Sequence, residues 1–202
     1  MLMPSRATTR RVRRSPHRLQ SLDELASMPP LKLALRARIL GLDPGSRITG
    51  FAVLDCEANQ IRHVASGSIR AQGSDFPERL RQIFAGVIAI VNEHQPDEVA
   101  IESVFMHRNA DSALKLGQAR GAALGATFAV TSSVFEYAPR KIKQAIVGTG
   151  AAEKTQVQLM VKRLLNVDGE MGADAADALA IALCHAHSRR LQGLLLTSRI
   201  RG

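Results

Sequence analysis

Two rhythms of apolar and polar positions divide this chain. From Arg38 to Arg70, short apolar runs are separated by turn residues. They predict three strands over 38–43, 51–56 and 61–70, with Glu57 to Gln60 as a hairpin turn between the last two. The rhythm then lengthens. Phe76, Leu80, Ile83, Phe84, Val87, Ile90 and Val91 recur at helical spacing on one face. Asp75 and Pro77 suit the start of that helix, and Pro96-Asp97 breaks it. Glu98 to Glu102, with Val99-Ala100-Ile101 at its centre, predicts a fourth strand. Further on come a helix over 110–130, a fifth strand over 133–137, and helices over 139–147, 152–165 and 173–189, with a break at Gly148 to Gly150. There are no internal repeats. Three strands, then strands alternating with helices, make an α/β sheet with a hairpin edge.

Connectivity already suggests where chemistry would gather. Strands one to three read as an antiparallel meander, and a helix joins strand three to strand four. Strand four is then parallel to strand one and able to lie beside it. Asp43 ends the first and Glu102 ends the second, so two carboxylates from distant positions meet at one sheet edge, where the sites of open α/β sheets gather. The last helix adds Asp174 and Asp177, three apart and on one face, in a run that is mostly alanine and lets the helix lie close to the sheet. Asp174 alone also suits the dipole of a helix N-terminus. Four acids in a small volume repel. At ~4 Å and an effective dielectric near 20, each pair costs on the order of 4 kcal/mol. Bound cations remove that cost. Oxygen donors without clustered cysteine or histidine point to Mg²⁺ or Mn²⁺ rather than zinc. Two such ions suit an in-line phosphodiester displacement, with Asp43 as the ligand between them.

Composition sharpens this in three ways. The net charge is +9, of which the first thirty residues supply a surplus of four, so the rest of the chain is basic too and a polyanionic partner is plausible. No apolar run approaches the roughly 20 residues needed to cross a bilayer, so no membrane role is expected. Cys56 and Cys184 have no metal or disulfide-framework spacing and read as free thiols of a reducing cytoplasm. Residues 1–33, rich in Arg, Ser and Pro, read as a basic disordered extension, 34–190 as the folded domain, and 191–202 as a frayed tail. The extension has the composition of a transit peptide, of a DNA-binding tail, or of sequence upstream of a later start at Met28. A tail with no specific role is the plainest of these readings.

The motifs Gly41-Leu42-Asp43-Pro44-Gly45-Ser46-Arg47-Ile48-Thr49-Gly50, Ile101-Glu102-Ser103-Val104-Phe105-Met106, Asn109 to Gly121, and Asp174-Ala175-Ala176-Asp177-Ala178-Leu179-Ala180 together closely resemble the RuvC family of crossover junction endodeoxyribonucleases. The resemblance runs from about Ile39 to His187, in the family's order. It implies a ribonuclease-H-like mixed five-stranded sheet flanked by helices. It also implies a homodimer and symmetric paired nicks in four-way (Holliday) DNA junctions during recombination and repair, next to thymine pairs. Asp43, Glu102, Asp174 and Asp177 become its metal-binding catalytic acids, with two Mg²⁺ per subunit and Mn²⁺ as a substitute. A branch-migration motor becomes an expected partner. Lys143 and Lys154 fall where the family has basic residues at the active face, and Arg140 and Lys141 widen that strip for phosphate contact. Phe105 falls where the family stacks a side chain on bases near the cut, with His107 and Arg108 beside it to touch backbone.

Some features stay open at this level. Gly117, Gly121 and Gly125 recur on one helix at about 1 kcal/mol each against alanine, which calls for a close neighbour either within the chain or across a two-fold axis. His185 and His187 read as surface histidines with no metal role. Three rival readings exist. A chaperone-type ATPase needs a second matching half, which a chain without repeats lacks. A non-catalytic junction-binding module would lose acids. A ribonuclease acting on RNA differs only in substrate, and the 109–121 motif favours the junction enzyme.

Overall fold

In a computed structural model of the chain, residues 36–57, 60–103, 109–131 and 133–201 are described, with their side chains through residue 193. The chain divides after residue 32, and all the described elements lie in the second unit. They run β1 (Arg36–Asp43), β2 (Ile48–Glu57), β3 (Gln60–Arg70), α1 (Phe76–His94), β4 (Glu98–Glu102), α2 (Ala110–Thr127), β5 (Val134–Tyr137), α3 (Pro139–Val147), α4 (Lys154–Leu165) and α5 (Ala173–Arg201). The strands form one sheet in the order β3-β2-β1-β4-β5. The β1–β2 and β2–β3 pairs are antiparallel, and the β1–β4 and β4–β5 pairs are parallel. The meander and the parallel β1–β4 neighbours follow the sequence expectation.

Local chemistry sets the boundaries. The Asp75 carboxylate accepts from the Glu78 N–H at 2.7 Å, and a proline fills the first turn of α1. Gln95 closes that helix in the left-handed region at φ 48°. Asn109 caps α2 by accepting from the N–H groups of Asp111 and Ser112. Glu153 and Gln156 form a reciprocal capping box, which moves the start of α4 from 152 to Lys154. β2 begins at Ile48 rather than 51, because Gly50 pairs with Asp43 of β1 and Ile48 and Thr49 pair with Arg70 and Ile69 of β3. α5 continues through the 191–201 stretch expected to fray. That stretch is leucine-rich and free of proline, and the helix runs through its one glycine, Gly193.

Period-two alternation sorts the strands between two cores. Leu40 and Leu42 of β1, with Val99 and Ile101 of β4, pack under α1 and α2 together with Ile83, Val87, Val91, Ala119, Ala123 and Ala126. Ile39 of β1 and Ala100 of β4 pack on the opposite face under α3, α4 and α5, where Leu179, Ile181 and Leu183 are fully covered. Asp43 follows Ile39 and Gly41 in phase. Glu98 and Glu102 flank Ala100 in phase. All three acids therefore belong to the face that carries α5.

Candidate active site

How closely α5 lies on the sheet decides the site. A methyl group at Gly41 of β1 would run into the carbonyl oxygen of Ala178, and one at Gly50 of β2 into the carbonyl oxygen of Asp174. The buried residues of the helix from 175 to 182 are Ala175, Ala176, Ala178, Leu179, Ala180, Ile181 and Ala182, five of them alanine. Small residues on both sides bring the first turns of α5 down beside the β1 terminus, and Gly50 is the direct pairing partner of Asp43. The register then places Glu102. Leu42 pairs with Ile101, so Asp43 and Glu102 are the next residues of two parallel neighbours.

The four acids form one electrostatic unit. Burial first, and then the charges of Asp177 and Asp174, push the Asp43 carboxyl up to about 6. Burial, followed by the charges of Asp43 and Asp177, pushes Glu102 up to about 7, against the pull of Lys143 and Lys154. The Lys154 ammonium lies 2.5 Å from the Asp177 carboxylate. That hydrogen bond, together with the charges of Asp177, Asp43 and Asp174, raises the lysine's own pKa. The site thus holds a cation drawn from its own chain. Among the described residues, no three Asp, Glu, His or Cys side chains are gathered closely enough to hold an ion as they stand. The donor set is carboxylate only, which suits a hard divalent cation that keeps several waters, such as Mg²⁺ or Mn²⁺.

The basic residues divide. Lys143 of α3 and Lys154 of α4 are the two whose charge reaches Glu102. The stem of Arg140 packs where Gly150 leaves room for it, at the connection between α3 and α4. Lys141 sits two residues from Lys143, so the helix turns it elsewhere, and its ammonium lies 4.8 Å over the Tyr137 ring. Phe105, His107 and Arg108 lie outside the described residues, as does the extension 1–33.

The pattern of the family described as "Crossover junction endodeoxyribonuclease RuvC" matches residues 39–185. The chain belongs to the RuvC family. A curated RuvC of Shewanella frigidimarina is 55% identical over 152 residues, 75% of this chain and 88% of that protein. One from Acinetobacter baylyi is 54% identical over 150 residues, 74% of this chain and 83% of its own length. Among solved structures, Thermus thermophilus RuvC in complex with a Holliday junction substrate superposes with a TM-score of 0.72 at 33% identity, over 78% of this chain and 97% of that one. The yeast mitochondrial Holliday junction resolvase, at 12% identity and a TM-score of 0.55 over 81% of this chain, shares the fold. The mixed sheet flanked by helices is the ribonuclease-H-like architecture of these structures.

The RuvC-family motifs acquire separate physical reasons from this geometry. In Gly41 to Gly50, the two outer glycines seat α5, and Asp43 is the acid they seat it beside. The motif from Asn109 to Gly121 contains a residue that the sequence left without a role. Arg120 donates from Nη1 to the backbone carbonyl of Glu102 at 2.6 Å. One expectation is corrected. His185 is 2% exposed, not a surface residue. Its Nε2 donates to Glu98 at 2.8 Å, the Tyr137 hydroxyl is 2.6 Å from its Nδ1, and Phe135 stacks on its ring with centroids 4.3 Å apart. Period alone hid this. α5 is covered on most sides at that level, so a polar residue there is buried wherever it points. His187 is half-buried, with Nδ1 3.3 Å from the Ala145 carbonyl. Cys56 and Cys184 are buried free thiols.

Proposed function

We propose that this RuvC-family enzyme is a Mg²⁺-dependent Holliday junction resolvase that acts as a homodimer and makes paired symmetric nicks in four-way DNA junctions. The observation that supports it most strongly is the convergence of Asp43, Glu102 and the Asp174/Asp177 face of α5, with the Asp43 and Glu102 carboxyls pushed up by burial and by the charges of neighbouring acids. Such a site gains from divalent cations what it loses to self-repulsion. Mg²⁺ held there, with two ions per subunit and Mn²⁺ as a substitute, would supply Lewis-acid activation of water and charge neutralisation at the phosphate. Asp43 and Glu102 offer ligands from the sheet, and Asp174 and Asp177 from the helix. Lys154 and Lys143 border the acids. Lys154, here paired with Asp177, would hold phosphate charge if a metal occupied that carboxylate. Arg140 extends the contact to the DNA backbone, Lys141 is turned away from that strip over the Tyr137 ring, and Phe105 stacks on bases near the cut.

The homodimer draws support from α2. Leu114, Gly117, Gly121, Gly125 and Phe128 share one face, with Leu114 62% and Phe128 59% exposed. Among the described residues nothing comes within 4 Å of a methyl group placed at any of the three glycines. The close neighbour that would offset their cost in a helix is therefore not among the described residues, and a second copy is the occupant we assign. A two-fold dimer matches two cuts on a two-fold junction. Cutting next to thymine pairs, a branch-migration motor as partner and a cytoplasmic setting complete the reading.

The deciding test is a cleavage assay on a synthetic four-way junction, linear duplex and RNA–DNA hybrid, with Mg²⁺ and with EDTA. Junction-selective, Mg²⁺-dependent nicking is expected from the wild type. Asp43→Asn should bind the junction and not cut it. Equal cutting of linear duplex, or cutting in EDTA, rejects the proposal.

A further inference from the structure

The strand end that carries Glu102 is held by a residue with no assigned part in the reaction. The β1–β4 ladder stops at the pair Leu42 and Ile101. Glu102 is the next residue, one step beyond the last support from β1. Here the acid is pushed by its neighbours, since the charges of Asp43 and Asp177 both act on it. On the other side, β5 continues the support through the Glu102–Tyr137 pair, and the Ser103 N–H donates to the Tyr137 carbonyl at 2.9 Å. The remaining restraint comes from α2. Arg120 donates from Nη1 to the Glu102 carbonyl at 2.6 Å, and its Nη2 lies 2.7 Å from Glu136 Oε1 of β5. Its side chain is only 13% exposed.

We propose that Arg120 is a positioning residue for Glu102. Its guanidinium ties the end of β4 to β5 and to the body of α2, and so sets the place from which the Glu102 carboxyl meets Asp43 and Asp177. The residue type follows from the task. A planar fork reaches two acceptors on different strands at once, whereas an ammonium on a flexible stem meets one geometry less firmly. Location matters as well. The chain leaves β4 at Glu102, and α2 begins at Ala110 with Asn109 as its cap. Arg120, ten residues into that helix and about 15 Å along it, reaches back to the point of departure. Both ends of the connection that contains Phe105 are therefore anchored to α2. A shift of Glu102 by about 1 Å is enough to cost on the order of 100-fold in rate.

The activity arm of the test rests on the metal-dependent junction-nuclease reading, and the metal-binding arm does not. The variants are Arg120→Ala, Arg120→Lys and Glu136→Gln in the full chain. Mn²⁺ binding is measured by calorimetry without DNA, beside thermal melting, junction binding, and single-turnover cleavage across a Mg²⁺ titration. Arg120→Ala is expected to weaken Mn²⁺ binding by about 10-fold or more, the size typical of residues that orient a metal ligand. Cleavage at saturating junction should fall on the order of 100-fold, with junction affinity within about threefold of wild type. Arg120→Lys should recover part of both losses, and Glu136→Gln should show a smaller loss of the same kind. A lowered melting temperature with wild-type Mn²⁺ affinity and wild-type cleavage by the folded protein would reduce Arg120 to a structural residue and overturn the proposal. If Arg120→Ala does not fold, wild-type Mn²⁺ affinity in both other variants overturns it equally. A wild type that binds Mn²⁺ and cuts no junction defeats the functional reading, while weakened Mn²⁺ binding in the variants still upholds Arg120.

Discussion

Two glutamates stand at the two ends of β4, four residues apart and on the same face, and the fold treats them in opposite ways. Glu98 accepts from His185 at 2.8 Å and from Arg189 at 2.8 Å. Burial pushes its carboxyl up, but the hydrogen bonds from His185 and Arg189 outweigh burial and hold it below the usual carboxylate range. Glu102 is half-buried among like charges and rises to about 7. The helix above both is the same α5. At one end it brings His185 and Arg189 to the strand, and at the other Asp174 and Asp177. One end is a satisfied polar clasp that holds helix to sheet. The other is a cluster of like charges, in which Lys154 pairs with Asp177 while the Asp43 and Glu102 carboxyls are pushed up. Stability and chemistry are thus divided along a single helix–strand contact. The clasp keeps α5 seated against the repulsion its other end creates.

The largest expected effect separates the two glutamates directly. Glu102→Gln should lower single-turnover cleavage of a four-way junction on the order of 10³-fold, and should raise the melting temperature of the metal-free protein by relieving repulsion. Glu98→Gln should do the reverse. Losing the charged acceptor of His185 and Arg189 should cost about 1–3 kcal/mol in denaturant unfolding, while cleavage at 25 °C stays within a few-fold. Comparable loss of cleavage in both variants would erase the distinction.

A pH titration sharpens the same contrast. Asp43 and Glu102 have folded-state values above their unfolded ones, near 6 and 7. Their stabilising contribution in the metal-free protein is complete below about pH 4 and is lost as pH rises to about 7, on the order of 3 kcal/mol for the coupled pair. Glu98 is depressed, so its contribution is present above its unfolded value and lost as pH falls through its folded one. Urea unfolding between pH 3 and pH 8 should therefore show a falling limb through pH 4–7 that Glu102→Gln flattens, and an acid-side loss that Glu98→Gln flattens. Saturating Mg²⁺ should remove most of the falling limb, because the ion binds the deprotonated carboxylates. Stability independent of Mg²⁺ at pH 7.5 would count against the carboxylate site.

Gly50→Ala probes the seating of α5 itself. The added methyl would meet the backbone of Asp174, where no rotamer can give way. A loss of about 1–3 kcal/mol in stability is expected. Lifted acids should also reduce cleavage on the order of tenfold in the protein that remains folded. Full cleavage with normal stability would show that the first turn of α5 is not pinned by β2.

Most of the fold was legible because its signals are local. Period two in β1 and β4, period 3.6 in α1, and Pro and Gly at the breaks state each element without reference to the others. The acid cluster was legible too. Strand order followed from connection lengths, and two strand-ending acids on parallel neighbours leave few alternatives. What escaped was pairwise. His185 looks like any polar residue near the end of a long helix, and its burial depends on Tyr137, Phe135 and Glu98, which come from 48, 50 and 87 positions away. Arg120 sits in a recognisable motif, yet nothing in the residues says that its partner is a backbone carbonyl.

By itself, then, the sequence determined most of the elements, the parallel pairing of β1 with β4, and which four acids are the candidates, because each rests on composition and spacing along the chain. Only the tertiary structure decided which like residues would be satisfied and which left in conflict. Burial and charge act through space, and the close approach of α5 over Gly41 and Gly50 sets which charges meet. It gave Glu98 its partners, surrounded Glu102 with acids, and brought Arg120 to the strand that Glu102 ends.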